Sequence, residues 1–197
     1  MDAVRVSLDP FEASDGVTLF RRVYEPAGAS IGDLLLGHGI GENVGRYVQA
    51  ARAFAEAGWR TVAWDLRGHG RSGGPRTYVR EWSRFHDDLA EQVDAIRRPG
   101  RPIAVVAHSM GGLIAFGAAA AGRIAPDRLV LSAPALDADI ARWKQIAAPL
   151  LARVVPMLRI PTGIGADPNP GETLPNEDPD APATIANATA RLGDEAF

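Results

Sequence analysis

IAVVAHSMGGLIAFGAAAA, residues 103–121, decides how this chain is read. Residues 103–107 are apolar without exception, the pattern of a strand buried on both faces of a sheet. Residues 111–122 are almost only small and apolar, so a helix there has little polar surface and is expected to be buried. Only His108, Ser109 and Met110 separate the two, which leaves Ser109 in a very tight turn between core strand and core helix. Such a turn strains the backbone and leaves no room for large side chains two residues before or after the serine. Ala107 and Gly111 occupy those positions. Against the pattern G-x-S-x-G, Ala107 adds one methyl group and still meets the steric requirement. A hydroxyl held at a helix N-terminus, beside the free N–H of Met110, sits where negative charge is stabilised. Ser109 is therefore the candidate nucleophile, with His108 and Gly111 shaping its turn.

Earlier in the chain a second motif completes the chemistry. The run Leu34, Leu35, Leu36 reads as another doubly buried strand, and it opens into Gly37-His38-Gly39-Ile40-Gly41-Glu42. A serine nucleophile needs a second main-chain donor for the oxyanion, and a His-Gly turn after an early strand can supply it. The N–H of Ile40 is the candidate, with His38 and Gly39 supporting the loop. The rival reading is a nucleotide loop. It fails because Glu42 stands where G-x-G-x-x-G requires its third glycine, and no Gly-Lys-Ser/Thr follows. A third Gly-rich segment, Asp65-Leu66-Arg67-Gly68-His69-Gly70-Arg71-Ser72, is expected to order the pocket floor.

Between these motifs, short apolar runs alternate with segments of helical period, which predicts an α/β fold with a mostly parallel sheet and helices on both faces. Strands are expected at 4–8, 17–24, 31–36, 61–64, 103–107 and 129–132. One helix should present Tyr47, Ala50, Ala51, Phe54 and Ala57 on its apolar face and end at Gly58. Another, over 81–97, should present Trp82, Phe85, Leu89, Val93 and Ile96. The character changes after Pro134: eight of the fifteen prolines fall between Pro149 and Pro182. The expected division is a core over 1–135 and a partly irregular, lid-like region over 136–197.

Composition narrows the function. Net charge is −3 and the charged fraction 23%, which gives no basis for binding nucleic acid. The chain has no cysteine, excluding disulfides, thiolate metal sites and cysteine nucleophiles. No basic start followed by an apolar run, and no membrane-spanning stretch, is visible, so a cytoplasmic protein without an integral membrane segment is expected. No metal or cofactor is called for.

HGIGENVGRY, DLRGHGRSGG and HSMGG, in this order, resemble the monoacylglycerol lipase and lysophospholipase group of serine α/β-hydrolases, over residues 15–134. The resemblance implies the α/β-hydrolase fold, a cap beginning near Leu136, and a small-molecule substrate such as a monoacylglycerol or similar single-chain lipid ester. It also implies a triad in the order Ser, Asp, His. No histidine follows Ser109 in this sequence. The expectation is an incomplete hydrolase that is inactive alone, with the base on a further C-terminal segment or a second chain. Asp137 could serve as the acid or cap a helix. The alternative is a non-catalytic hydrolase-fold protein that binds an acyl ligand or a partner.

Overall fold

The computed structural model describes residues 4–137. The expected cap over 136–197 therefore lies outside the described residues, apart from Leu136 and Asp137. In chain order the elements are β1 (Arg5–Leu8), β2 (Phe11–Glu12), β3 (Thr18–Leu19), β4 (Arg21–Glu25), β5 (Gly32–Gly37), a 3₁₀ turn (Val44–Tyr47), α1 (Val48–Glu56), β6 (Trp59–Trp64), α2 (Ser83–Ile96), β7 (Ile103–His108), α3 (Ser109–Ala120) and β8 (Arg128–Ser132). Six strands form one sheet in the order β1-β4-β6-β5-β7-β8, and β2 pairs with β3 in a separate ribbon. β4 is antiparallel to β1 and β6, whereas β6, β5, β7 and β8 run parallel. This is the α/β-hydrolase architecture.

Side-chain alternation explains why β5 is apolar throughout. Leu35 joins one core with Val62, Val105, Phe85, Leu89 and Ile114, the side covered by α2 and α3. Leu34 and Leu36 join the other, with Ala51, Ala55, Val44 and Ala104, on the side of α1. Successive residues of a strand face opposite sides, so a strand between two helical layers must be apolar on both.

Several expected boundaries move. Residues 17–24 are two short strands in different sheets, because at Phe20 the N–H donates to Ser72 Oγ and the carbonyl accepts from Asp65 N. The buried face of α1 is Ala51 and Ala55, with Tyr47 and Phe54 half-buried; Ala50 and Ala57 are exposed. The 3₁₀ turn before α1 shifts the helical phase. Gly58 does end α1, with φ +94° and its N–H on the Ala55 carbonyl at 2.9 Å. Trp82 precedes α2 and is 43% exposed, stacked edge-on to Phe85 instead of entering the core. α3 starts at Ser109 itself and buries one side only, leaving Phe116 47% exposed.

Candidate active site

Three parallel neighbours in the sheet end at one level. Gly37 closes β5 and lies opposite both Trp64 of β6 and Ala107 of β7. The loops that leave them, beginning at His38, Asp65 and Ser109, gather at the carboxyl ends of the strands, where open parallel sheets place their sites. The register also accounts for Ala107: its cross-strand partner is Gly37. A methyl group added to Gly37 would stand 3.6 Å from the Ala107 Cβ, an ordinary contact.

Ser109 takes φ +49°. A non-glycine residue in the left-handed region costs on the order of 1–3 kcal/mol and persists only where its surroundings hold it. A Cβ on Gly111 would lie 2.5 Å from the His38 carbonyl oxygen, so the first turn of α3 lies directly against the loop after β5. A Cβ on Gly39 would lie 3.1 Å from the Ser109 Cβ and 3.3 Å from the His108 ring. Ser109, Gly111, His38 and Gly39 are thus brought together, as the motifs require. Met110 is buried at the start of α3, while the Ile40 side chain is 42% exposed.

His38 is a structural pin. Its Nε2 accepts the Leu66 N–H at 2.9 Å, so the proton sits on Nδ1, which donates to the Gly39 carbonyl at 2.7 Å. The ring is 1% exposed, and burial lowers its pKa to about 4. It joins the loop after β5 to the loop after β6 as a neutral imidazole. Asp65, buried in that second loop, accepts Val44 N–H at 2.7 Å and Arg71 N–H at 2.8 Å. Ser72 Oγ donates to the Asp65 carbonyl at 2.6 Å. The Gly-rich loop at 65–72 orders its neighbours, as its sequence suggested.

The motif reading missed Glu42. Its Oε2 accepts the Gly39 N–H at 2.8 Å and the Tyr47 hydroxyl at 2.6 Å, bracing the loop that carries Ile40. Burial, then the bond to Glu42, pushes the Tyr47 hydroxyl well above its ordinary value. The signal was available in the spacing: a glutamate three residues on can reach back to a turn amide, as the glutamate half of a capping box does.

The other histidines are engaged elsewhere. His69 is 2% exposed with Nδ1 on the Arg67 carbonyl at 3.0 Å. His86 lies on α2, where a Cβ on Gly117 of α3 would come within 2.8 Å of its Nε2. His108 turns its Nδ1 to Ser132 Oγ at 3.4 Å and its ring to Tyr47. Asp137 is exposed beyond β8; the helix expected after it falls outside the described residues.

Residues 29–187 match the family described as serine aminopeptidase, S33. The chain belongs to that family. It is 39% identical over 132 residues to the monoacylglycerol lipase of Mycolicibacterium smegmatis, covering 65% of this chain and 46% of that protein. It is 35% identical over 155 residues to the human monoglyceride lipase, covering 75% and 50%. The crystal structure of a soluble variant of monoglyceride lipase from Saccharomyces cerevisiae, in complex with a substrate analogue, superposes with a TM-score of 0.67 at 25% identity, covering 83% of this chain and 57% of that one. The chain spans about half the length of the curated relatives it matches. Among the described residues, no helix is long and apolar enough to cross a membrane.

Proposed function

We propose that this S33-family chain carries the nucleophile half of a carboxylic ester hydrolase acting on acyl glycerols or similar single-chain lipid esters. The observation that carries the reading is the left-handed Ser109 between β7 and α3, pressed against Gly39. Its relatives, described as monoacylglycerol and monoglyceride lipases, support the substrate class.

In this mechanism Ser109 Oγ attacks the ester carbonyl carbon and loses its proton to a base. The carbonyl oxygen becomes an oxyanion held by the N–H groups of Ile40 and Met110. Collapse expels the glycerol oxygen, which takes the proton from the base, and leaves an acyl-Ser109 ester. Water, deprotonated by the same base, then releases the fatty acid. No histidine among the described residues is placed to act as that base, since His38 and His69 are buried pins, His86 lies on α2 against Gly117 of α3, and His108 faces Ser132. The base is assigned to a further segment or a second chain. No residue is assigned as the acid; Asp137, just past β8, is one candidate for it and a helix cap is its other reading.

Ser109→Ala tests the assignment. With the base-bearing segment present, ester turnover should fall by about 10⁶, the scale of losing a triad serine. Undiminished turnover in the variant removes the mechanism. A fluorophosphonate probe that fails to label Ser109 under those conditions would favour the non-catalytic binder instead.

A further inference from the structure

Two neighbouring strands of the sheet end alike. β7 and β8 are parallel with His108 opposite Ser132, and the next residue on each is left-handed: Ser109 at φ +49° and Ala133 at φ +43°. After Ser109 the chain enters α3. After Ala133 it folds back over the start of α3. The Ala135 N–H donates to the Ser109 carbonyl at 3.1 Å, and the Leu136 N–H closes the turn on the Pro134 carbonyl at 2.8 Å. A Cβ on Gly112 would stand 3.0 Å from the Pro134 Cβ. The first turn of α3 is therefore held twice, through Gly111 by the His38 carbonyl and through Gly112 by Pro134.

The bond from Ala135 matters because of where its acceptor sits. The Ser109 carbonyl and the Met110 N–H belong to one planar peptide unit and point in opposite directions. Holding the oxygen fixes the direction of the N–H. It also polarises the unit, since hydrogen bonds in series strengthen one another. Ala133 and Ala135 are themselves exposed, so burial of their side chains gives no account of the strained turn. We propose that residues 133–136 are a positioning strap: by holding the Ser109 carbonyl, the Ala135 N–H aims and polarises the Met110 N–H at the reacting oxygen. The proposal rests on Ser109 being the nucleophile, and its test separates the two.

The chain has no cysteine, so Ser109→Cys creates a single thiol whose ionisation reads the donors around it without needing a base. Its alkylation by iodoacetamide is followed against pH. In Ser109→Cys alone the thiolate should form below the free-thiol value of about 8.5, as at other helix N-termini. Adding Ala135→Pro removes the donor. Adding Ala133→Val instead puts a β-branched side chain in the left-handed region and opens the turn. Each should move thiolate formation up by roughly one unit and cut alkylation near neutral pH by roughly tenfold. Ala133→Gly keeps the turn and should titrate with Ser109→Cys alone; Val130→Thr, on the exposed face of β8, should do the same. A role confined to stability would shift the denaturant midpoint and leave the thiol untouched. Strap variants that are folded yet titrate with Ser109→Cys overturn the strap alone. A Ser109→Cys thiol that ionises as a free thiol overturns the nucleophile reading and the strap with it. Should Ala135→Pro fail to fold, Ala133→Val decides.

Discussion

His38 and His69 lie with ring centroids 5.5 Å apart, their planes tilted by 55°, in the loops after β5 and β6. Each is an ordinary imidazole of pKa 6.5 pushed down to about 4, by burial first; for His69, repulsion from His38 comes next. A base with a lowered folded pKa stabilises the fold while neutral. Between about pH 4 and 6.5 the unfolded chain binds protons that the folded chain refuses. Stability is then complete above 6.5 and falls as pH drops, by about 1.4 kcal/mol per pH unit for each histidine at the steepest. Asp65, raised by burial, takes its proton earlier in the fold and offsets part of the loss at the acid end. Urea unfolding followed from about pH 7 to about 5 should show this decline. In His69→Phe the slope should be shallower, at a cost of about 1–3 kcal/mol at neutral pH for the lost bond from His69 Nδ1 to the buried Arg67 carbonyl. A pH-independent midpoint in the unsubstituted chain would overturn the account.

α2 is fixed to the Gly-rich loop by charge as much as by its apolar face. Arg67 binds Asp88 through two bonds of 2.8 and 2.7 Å and Asp15 through two more of 2.8 and 3.1 Å. Asp88 is fully buried, and its bond partner Arg67 is held above its ordinary pKa by that contact. Removing one member of such a pair strands the other. Arg67→Met should cost about 3–5 kcal/mol in denaturant unfolding, and Arg67→Lys less, since lysine keeps the charge but not the fork. A midpoint unchanged by Arg67→Met would show that Arg84, 3.3 Å from Asp88, suffices alone. Elements carried by a strong local pattern were legible in the sequence: β5 and β7 from unbroken apolar runs, α2 from Phe85, Leu89, Val93 and Ile96. The turn at Ser109 was legible because glycines and a strand–helix junction fix it locally. What escaped depends on distant partners. Phe20 breaks a strand through Ser72, Arg67 finds Asp15 and Asp88, and Pro134 meets Gly112; no periodicity encodes those meetings.

At the scale of the molecule, the sheet is asymmetric in how it is finished. On one flank it ends in β1, antiparallel and exposed along its length. On the other flank, among the described residues, it ends in β8, a parallel strand that pairs only with β7. Leu129 and Leu131 of β8 pack against the α2–α3 core, while Val130 is 52% exposed on its other face. A parallel edge strand with an exposed β-branched residue, and with main-chain groups that meet no further strand among the described residues, is a template for another strand. The expected consequence is concentration-dependent self-association of this chain, measured by sedimentation velocity. Val130→Lys should reduce it, because a charge on an edge strand blocks the approach of a second sheet. The substitution lies on the exposed side and should change stability by no more than about 0.5 kcal/mol, so a lost association would not be mistaken for unfolding. A chain that stays monomeric over the whole range, or one whose association ignores Val130→Lys, would mean that β8 is not the strand through which copies meet.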